Sequence, residues 1–253
     1  MYFKNARLIR MSILQTIIVT AILMATGISA GALAASLPER ISFQNILENK
    51  DIAMGEGGAL FQDSDGFMWF GGSNALIRYD GYDFRQFYVA ASDEKPNEKI
   101  SVKFTQHIFE DSHHRIWIGT RTGILLFDSN KEQLSRVKDD GEQLVMVTTT
   151  DIQRILELPS GEILACSLAG IFIIDPKTLK YTVIAPDEKS DHGLQGKRVN
   201  GAYVDKNQDI WFATEVGIEK ADWKNKHFTL YKANPENPEL VTDNSVADII
   251  SDR

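Results

Sequence analysis

Four stretches of this chain align with one another without a gap at a period of 47 or 48 residues, and that period leaves few folds open. They are "LFQDSDGFMWFGGSNALIRYD" ending at Asp80, "IFEDSHHRIWIGTRTGILLFD" ending at Asp128, "ILELPSGEILACSLAGIFIID" ending at Asp175 and "AYVDKNQDIWFATEVGIEKAD" ending at Asp222. Each is anchored on one large apolar residue: Trp69, Trp117, Leu164 and Trp211. Six residues earlier stand Asp63, Asp111, Leu158 and Asp205; eleven later come Asp80, Asp128, Asp175 and Asp222. A unit of this size cannot bury its faces alone and must stack on its neighbours.

The pattern inside each copy is strand-like. Copy two reads "HIFED", a turn at "SHHR", "IWIGT", "GILLFD" and "QLSRV", four short runs rich in aromatic and β-branched residues. The second run is apolar at consecutive positions ("FMWF", "IWI", "IWF"), which calls for burial on both faces of the sheet. Two residues after each anchor stands a small residue, Gly71, Gly119, Cys166 or Ala213, where a larger side chain would strike the adjacent sheet. These features describe an all-β protein, a β-propeller of four-stranded antiparallel blades. The copies occupy about 55–100, 101–148, 149–195 and 196–242, and "VADIISDR" opens a partial fifth at 243–253. The expected fold is four complete blades plus the first strand of a fifth, preceded by an N-terminal apolar helix.

Residues 1–34 read differently. Lys4, Arg7 and Arg10 precede an uncharged run that reaches Ser36, with an Ala32-Leu33-Ala34 triplet near its end. This is the pattern of a secretory signal peptide cut before Ala35, and an uncleaved membrane anchor is the alternative. Residues 35–253 then hold 24 basic and 35 acidic residues, a net charge near −11, which disfavours nucleic acid as a partner. Cys166 is the only cysteine, so no disulfide within the chain is available.

No catalytic constellation, metal set or cofactor motif stands out. His113 and His114 fill the turn that is "DSDG" in copy one, and they read as turn residues rather than ligands. "DSDG" and "DKNQD" lack the further acids of a helix-loop-helix calcium loop. Cys166 reads as a buried inert thiol. His107, His192 and His227 are too far apart in sequence to be assembled into a site. The second aspartate of each copy is expected to start a turn.

The repeats resemble the two-component regulator propeller family, in which an apolar strand and an Asp-x-x-Gly turn precede Trp-Ile-Gly-Thr, Gly-Leu, an aromatic and Asp. "EDSHHRIWIGTRTGILLFD" carries that resemblance most fully, and "YKANPENPELVTDNSVADIISD" resembles the family's linker. Copy three departs at Leu158 and Leu164. The resemblance covers residues 37–253 and implies the exported sensor region of a histidine kinase or diguanylate cyclase receptor on the periplasmic side of the inner membrane. It further implies a small-molecule or glycan ligand, a membrane connection through a C-terminal segment outside this sequence, and a possible dimer in the full receptor. It transfers no ligand-binding or catalytic residues. Seven blades would need ~330 residues at this period, so the sequence is expected to be an N-terminal piece or a truncated product. A secreted protein-binding propeller and a propeller lyase or hydrolase are the alternatives.

Overall fold

In a computed structural model, the described residues are 52, 54–91, 95, 97–137, 150–233 and 243–250. The signal segment at 1–34, and with it the expected apolar helix, lies outside them. Every regular element among the described residues is a β-strand. Blade 1 comprises β1 (Gly57–Gln62), β2 (Met68–Gly72), β3 (Leu76–Tyr79), β4 (Phe84–Ala90) and β5 (Lys99–Ser101). Blade 2 comprises β6 (Thr105–Glu110), β7 (Ile116–Thr120), β8 (Gly123–Asp128) and β9 (Gln133–Arg136). Blade 3 comprises β10 (Ile152–Glu157), β11 (Ile163–Ser167), β12 (Gly170–Ile174) and β13 (Tyr181–Ile184). Blade 4 comprises β14 (Val199–Val204), β15 (Ile210–Thr214), β16 (Gly217–Asp222) and β17 (His227–Tyr231). Each blade is an antiparallel meander in sequence order.

Two details differ from the expected fold. Blade 1 has a fifth strand, β5, paired to β4 through Tyr88–Ser101, Val89–Ile100 and Ala90–Lys99, where the sequence reads as a connecting segment. Residues 243–250, expected as the first strand of a fifth blade, form no strand. A first strand is hydrogen-bonded only to the second strand of its own blade, and this segment has no such partner among the described residues. It docks on blade 4 instead, with Val246 N–H donating to Thr214 O (2.9 Å) and Asn200 Nδ2 donating to Val246 O (2.7 Å).

The core lies between blades. Trp69 of blade 1 is packed among Ile108, Ile118 and Phe127 of blade 2. Trp117 of blade 2 is packed among Ile155, Ile163 and Phe172 of blade 3, and Leu164 among Ala202, Ile210 and Phe212 of blade 4. Strands β7 and β11 are buried at all five positions, as sheets sandwiched on both faces must be. The small residue after each anchor permits that approach: a Cβ on Gly119 would lie 2.9 Å from Ile152 Cγ2, and one on Gly71 would press still closer on Thr105.

The paired Asp and Trp are one unit. Asp63, Asp111 and Asp205 each accept the indole N–H of their own tryptophan, at 2.6, 2.8 and 3.0 Å. The other carboxylate oxygen takes backbone N–H groups of the turn: Phe67 for Asp63, His113 and Arg115 for Asp111, Asn207 and Asp209 for Asp205. Burial alone would raise the Asp111 pKa, but the hydrogen bonds from Trp117 and Arg115 outweigh it and hold the carboxyl below its usual range. The indole hydrogen bond likewise lowers Asp205. Copy three replaces both members, because a buried carboxylate without its indole would be costly. Asp80, Asp128, Asp175 and Asp222 cap the turns after the third strands, accepting N–H bonds from Asp83, Lys131, Thr178 and Asn225.

Candidate functional site

The first strands of all four blades share one feature that alignment by anchor alone does not bring out. In β1, β6, β10 and β14 the register slips at the same place, between Gly57 and Ala59, Thr105 and His107, Ile152 and Arg154, and Val199 and Gly201. A bulge re-aims the side chain that follows it. These four strands converge on one cavity of about 530 Å³, and Ala59, His107 and Arg154 all line it. Gly201, the equivalent in β14, leaves space in which Asp248 of the docked segment sits; a Cβ there would lie 2.6 Å from Asp248 Oδ1.

The polar groups of this cavity are therefore supplied by single blades. His107 Nδ1 accepts the Ile155 N–H at 3.2 Å, across the junction from blade 2 to blade 3. Burial lowers the His107 pKa to about 4, the Arg154 charge adds to this and Asp248 opposes it, so the ring is neutral at pH 7. With Nδ1 accepting, the proton of the neutral ring is on Nε2, leaving that nitrogen as a donor. The Arg154 guanidinium is 3.6 Å from the Asp248 carboxylate. Glu157, the other charged group in the lining, already accepts from Ser112 N–H and Oγ, both at 2.7 Å. A neutral imidazole donor, a partly paired guanidinium and the apolar flanks of Leu60, Phe61 and Phe109 suit an uncharged or anionic polar ligand.

His113 and His114 are brought to no site. His114 sits at φ +60° in an exposed turn, its Nδ1 3.0 Å from Glu110 Oε1 and 2.8 Å from Ser64 Oγ. His192 and His227 stack on each other at 4.8 Å between ring centroids, and neither lines the cavity of His107. Cys166 is fully buried and its thiol is pushed up by burial. Among the described residues no group of three or more His, Cys, Asp or Glu gathers as a metal set.

The sequence reading missed His107 and Arg154 as a pair. The signal was there: four residues before the first aspartate slot the copies read Ala59, His107, Arg154, Gly201 and Asp248. It also missed a clasp between blades. Ser64 N–H and Oγ donate to Glu110 of blade 2 at 2.7 and 2.5 Å, as Ser112 does to Glu157 of blade 3. Where the donor slot holds Pro159, the acceptor slot of blade 4 holds Val204.

No family model matches the chain. It is 27% identical over 178 residues to histidine kinase P4 of Formosa agariphila, which covers 67% of this chain and 12% of the kinase. Among solved structures, one described as the extracellular domain of a hybrid two-component system of B. thetaiotaomicron superposes with a TM-score of 0.61 at 19% identity, covering 71% of this chain and 25% of that one. Another, described as belonging to a one-component system of the same organism, gives 0.55 at 26% identity, covering 70% and 25%. Virginiamycin B lyase from Staphylococcus aureus shares the fold, with a TM-score of 0.52 at 12% identity over 72% of this chain and 57% of the lyase. The chain spans about a quarter of these two extracellular-domain structures and less of the kinase. Repeat and blade architecture are those of a β-propeller, similar in sequence to a histidine kinase and in fold to the extracellular domains of two-component systems.

Proposed function

We propose that the blades form the ligand-sensing region of an exported receptor whose output domain, of the histidine kinase or diguanylate cyclase type, belongs to a longer signalling protein. The basic and apolar N-terminal segment supports export, and relatives described as extracellular domains support a place on the outer side of the inner membrane. One observation carries the sensing role: strands from four blades converge on a cavity of about 530 Å³, within the size range of small-molecule sites. Its donors, His107 Nε2 and Arg154, suit a hydroxyl- or carboxylate-bearing ligand such as a glycan fragment. A ligand that engages Arg154 competes with Asp248 and so acts on residues 243–250, biasing the chain that continues from them.

The full chain, titrated by calorimetry with neutral and uronic-acid oligosaccharides, should bind one class saturably. Arg154→Ala should weaken that binding about tenfold or more, the usual effect of removing a charged hydrogen bond. Binding that is indifferent to Arg154→Ala, or no saturable ligand in either class, overturns the assignment of the sensing site to this cavity.

A further inference from the structure

A second cavity, of about 490 Å³, opens between blades 1 and 2 at the end where one blade hands over to the next. It is independent of the cavity between the inner strands. Its floor is apolar and buried, formed by Val89, Val102 and Leu125, and its rim carries Ile100 and Phe104, each 40% exposed. The extra strand β5 supplies Ile100, and no described strand of blades 2, 3 or 4 corresponds to it. The connecting segment that carries β5 thus edges this pocket, and connecting segments are where a repeated scaffold places binding.

Two further observations define what it takes. Among the described residues the charged side chains of the lining are Lys103 and Arg136, in a chain of net charge −8. Among the described residues neither cation makes an ion pair. Phe104 holds a left-handed backbone, φ +53°, a conformation that is strained for a bulky residue. In the same slot the other copies carry Glu56, Asp151, Arg198 and Ser245, and none of them has a positive φ. The strained conformation keeps an aromatic ring at the pocket rim, with the Arg121 guanidinium 4.7 Å from its centroid.

We propose that this pocket binds a small organic anion with a flat apolar body, an aryl carboxylate or a ligand of that shape. The ring would lie on Val89, Val102 and Leu125 beside Phe104, and the acid would meet Lys103 and Arg136. The probes are 2-naphthoate and its uncharged counterpart 2-naphthylmethanol, titrated into the full chain with saturation-transfer NMR and calorimetry. 2-Naphthoate should bind at one site about tenfold more tightly than the alcohol, the worth of a charged pairing at a partly exposed site. Lys103→Glu with Arg136→Glu should abolish that preference, and Ile100→Trp, which fills the pocket from an exposed strand, should remove binding of both probes. Equal affinity for the two probes, no saturable binding of either, or binding unmoved by Ile100→Trp overturns the proposal. The comparison of probes on the unmodified chain and the Ile100→Trp result decide it even if the charge-reversed variant fails to fold.

Discussion

The junction between blades 2 and 3 and the outer face of blade 1 are built from the same aligned positions, yet their surroundings are opposite. In β6 and β10 the third residue before each first-aspartate slot is Ile108, 3% exposed, and Ile155, 1% exposed; in β1 it is Leu60, 66% exposed. The inner strand of a blade is covered by the blade before it, and β1 has none before it among the described residues. The anchors have the complementary dependence. Trp69 and Trp117 are fully buried by the blade that follows them, whereas Trp211, followed only by residues 243–250, is half-buried. The same residue type in the same slot is therefore core or surface according to its neighbour, and stability belongs to junctions as much as to blades.

The largest expected effect follows from that dependence. Trp117→Ala should destabilise the chain by about 3–5 kcal/mol, the range for deleting a buried aromatic. Trp211→Ala should cost roughly half as much, because no complete blade covers it among the described residues. Urea unfolding of the full chain with each variant measures the difference, and equal losses would break the comparison. The inner strands give a sharper contrast in the same assay. Ile155→Ala should cost about 2–4 kcal/mol by cavity formation, while Leu60→Ala should stay within about 0.5 kcal/mol, as exposed substitutions do.

A third contrast is one of pH. His107 and Ala59 occupy the same bulged slot, and only the former titrates. Burial depresses the folded His107 pKa to about 4, below its unfolded value near 6.5. The folded state therefore binds fewer protons than the unfolded state in that window. Stability is full above pH 6.5 and declines as the pH falls towards 4, by about 3 kcal/mol in all. His107→Ala, which gives blade 2 the residue of blade 1, should flatten the pH dependence of the unfolding midpoint between pH 6.5 and 4. An unchanged slope would mean that other groups titrate there.

Repetition determined how much of this was legible. The period, the anchors and the small residues after them recur in every copy, so blade number and strand order could be read directly. The departures could not be read in the same way. Strand β5 arises from "KIS", three residues too few to show a pattern of their own, and its pairing to β4 is a matter of local geometry. His107 and Arg154 each occur once, and their meeting depends on a bulge that brings the first strands of different blades around one space. A histidine judged by its distance in sequence from other histidines looks isolated; judged by its slot in the repeat, it faces the same cavity as Arg154. The joint replacement of Asp and Trp by Leu158 and Leu164 was visible in the alignment, but its reason, a hydrogen bond from indole to carboxylate, needed coordinates.

The smallest expected effect concerns the clasp, which joins blade 1 to 2 and blade 2 to 3 but not 3 to 4. Ser112→Ala removes two donors to the Glu157 carboxylate, and Ser64→Ala does the same at Glu110. Both clasps lie at exposed turns, so each variant should cost about 0.5–1 kcal/mol, the lower part of the range for hydrogen bonds to a charged group. Pro159 can donate no N–H and the Val204 side chain can accept nothing, so that junction lacks the clasp and packs Leu164 among apolar neighbours. Building the clasp there with Pro159→Ser and Val204→Glu together should recover up to about 0.5 kcal/mol, while Val204→Glu alone should gain nothing, since its carboxylate would have no donor. A double-mutant cycle on the unfolding midpoint separates the two cases. A coupling energy of zero between positions 159 and 204 would show that the serine and glutamate of the other junctions are neighbours without being partners.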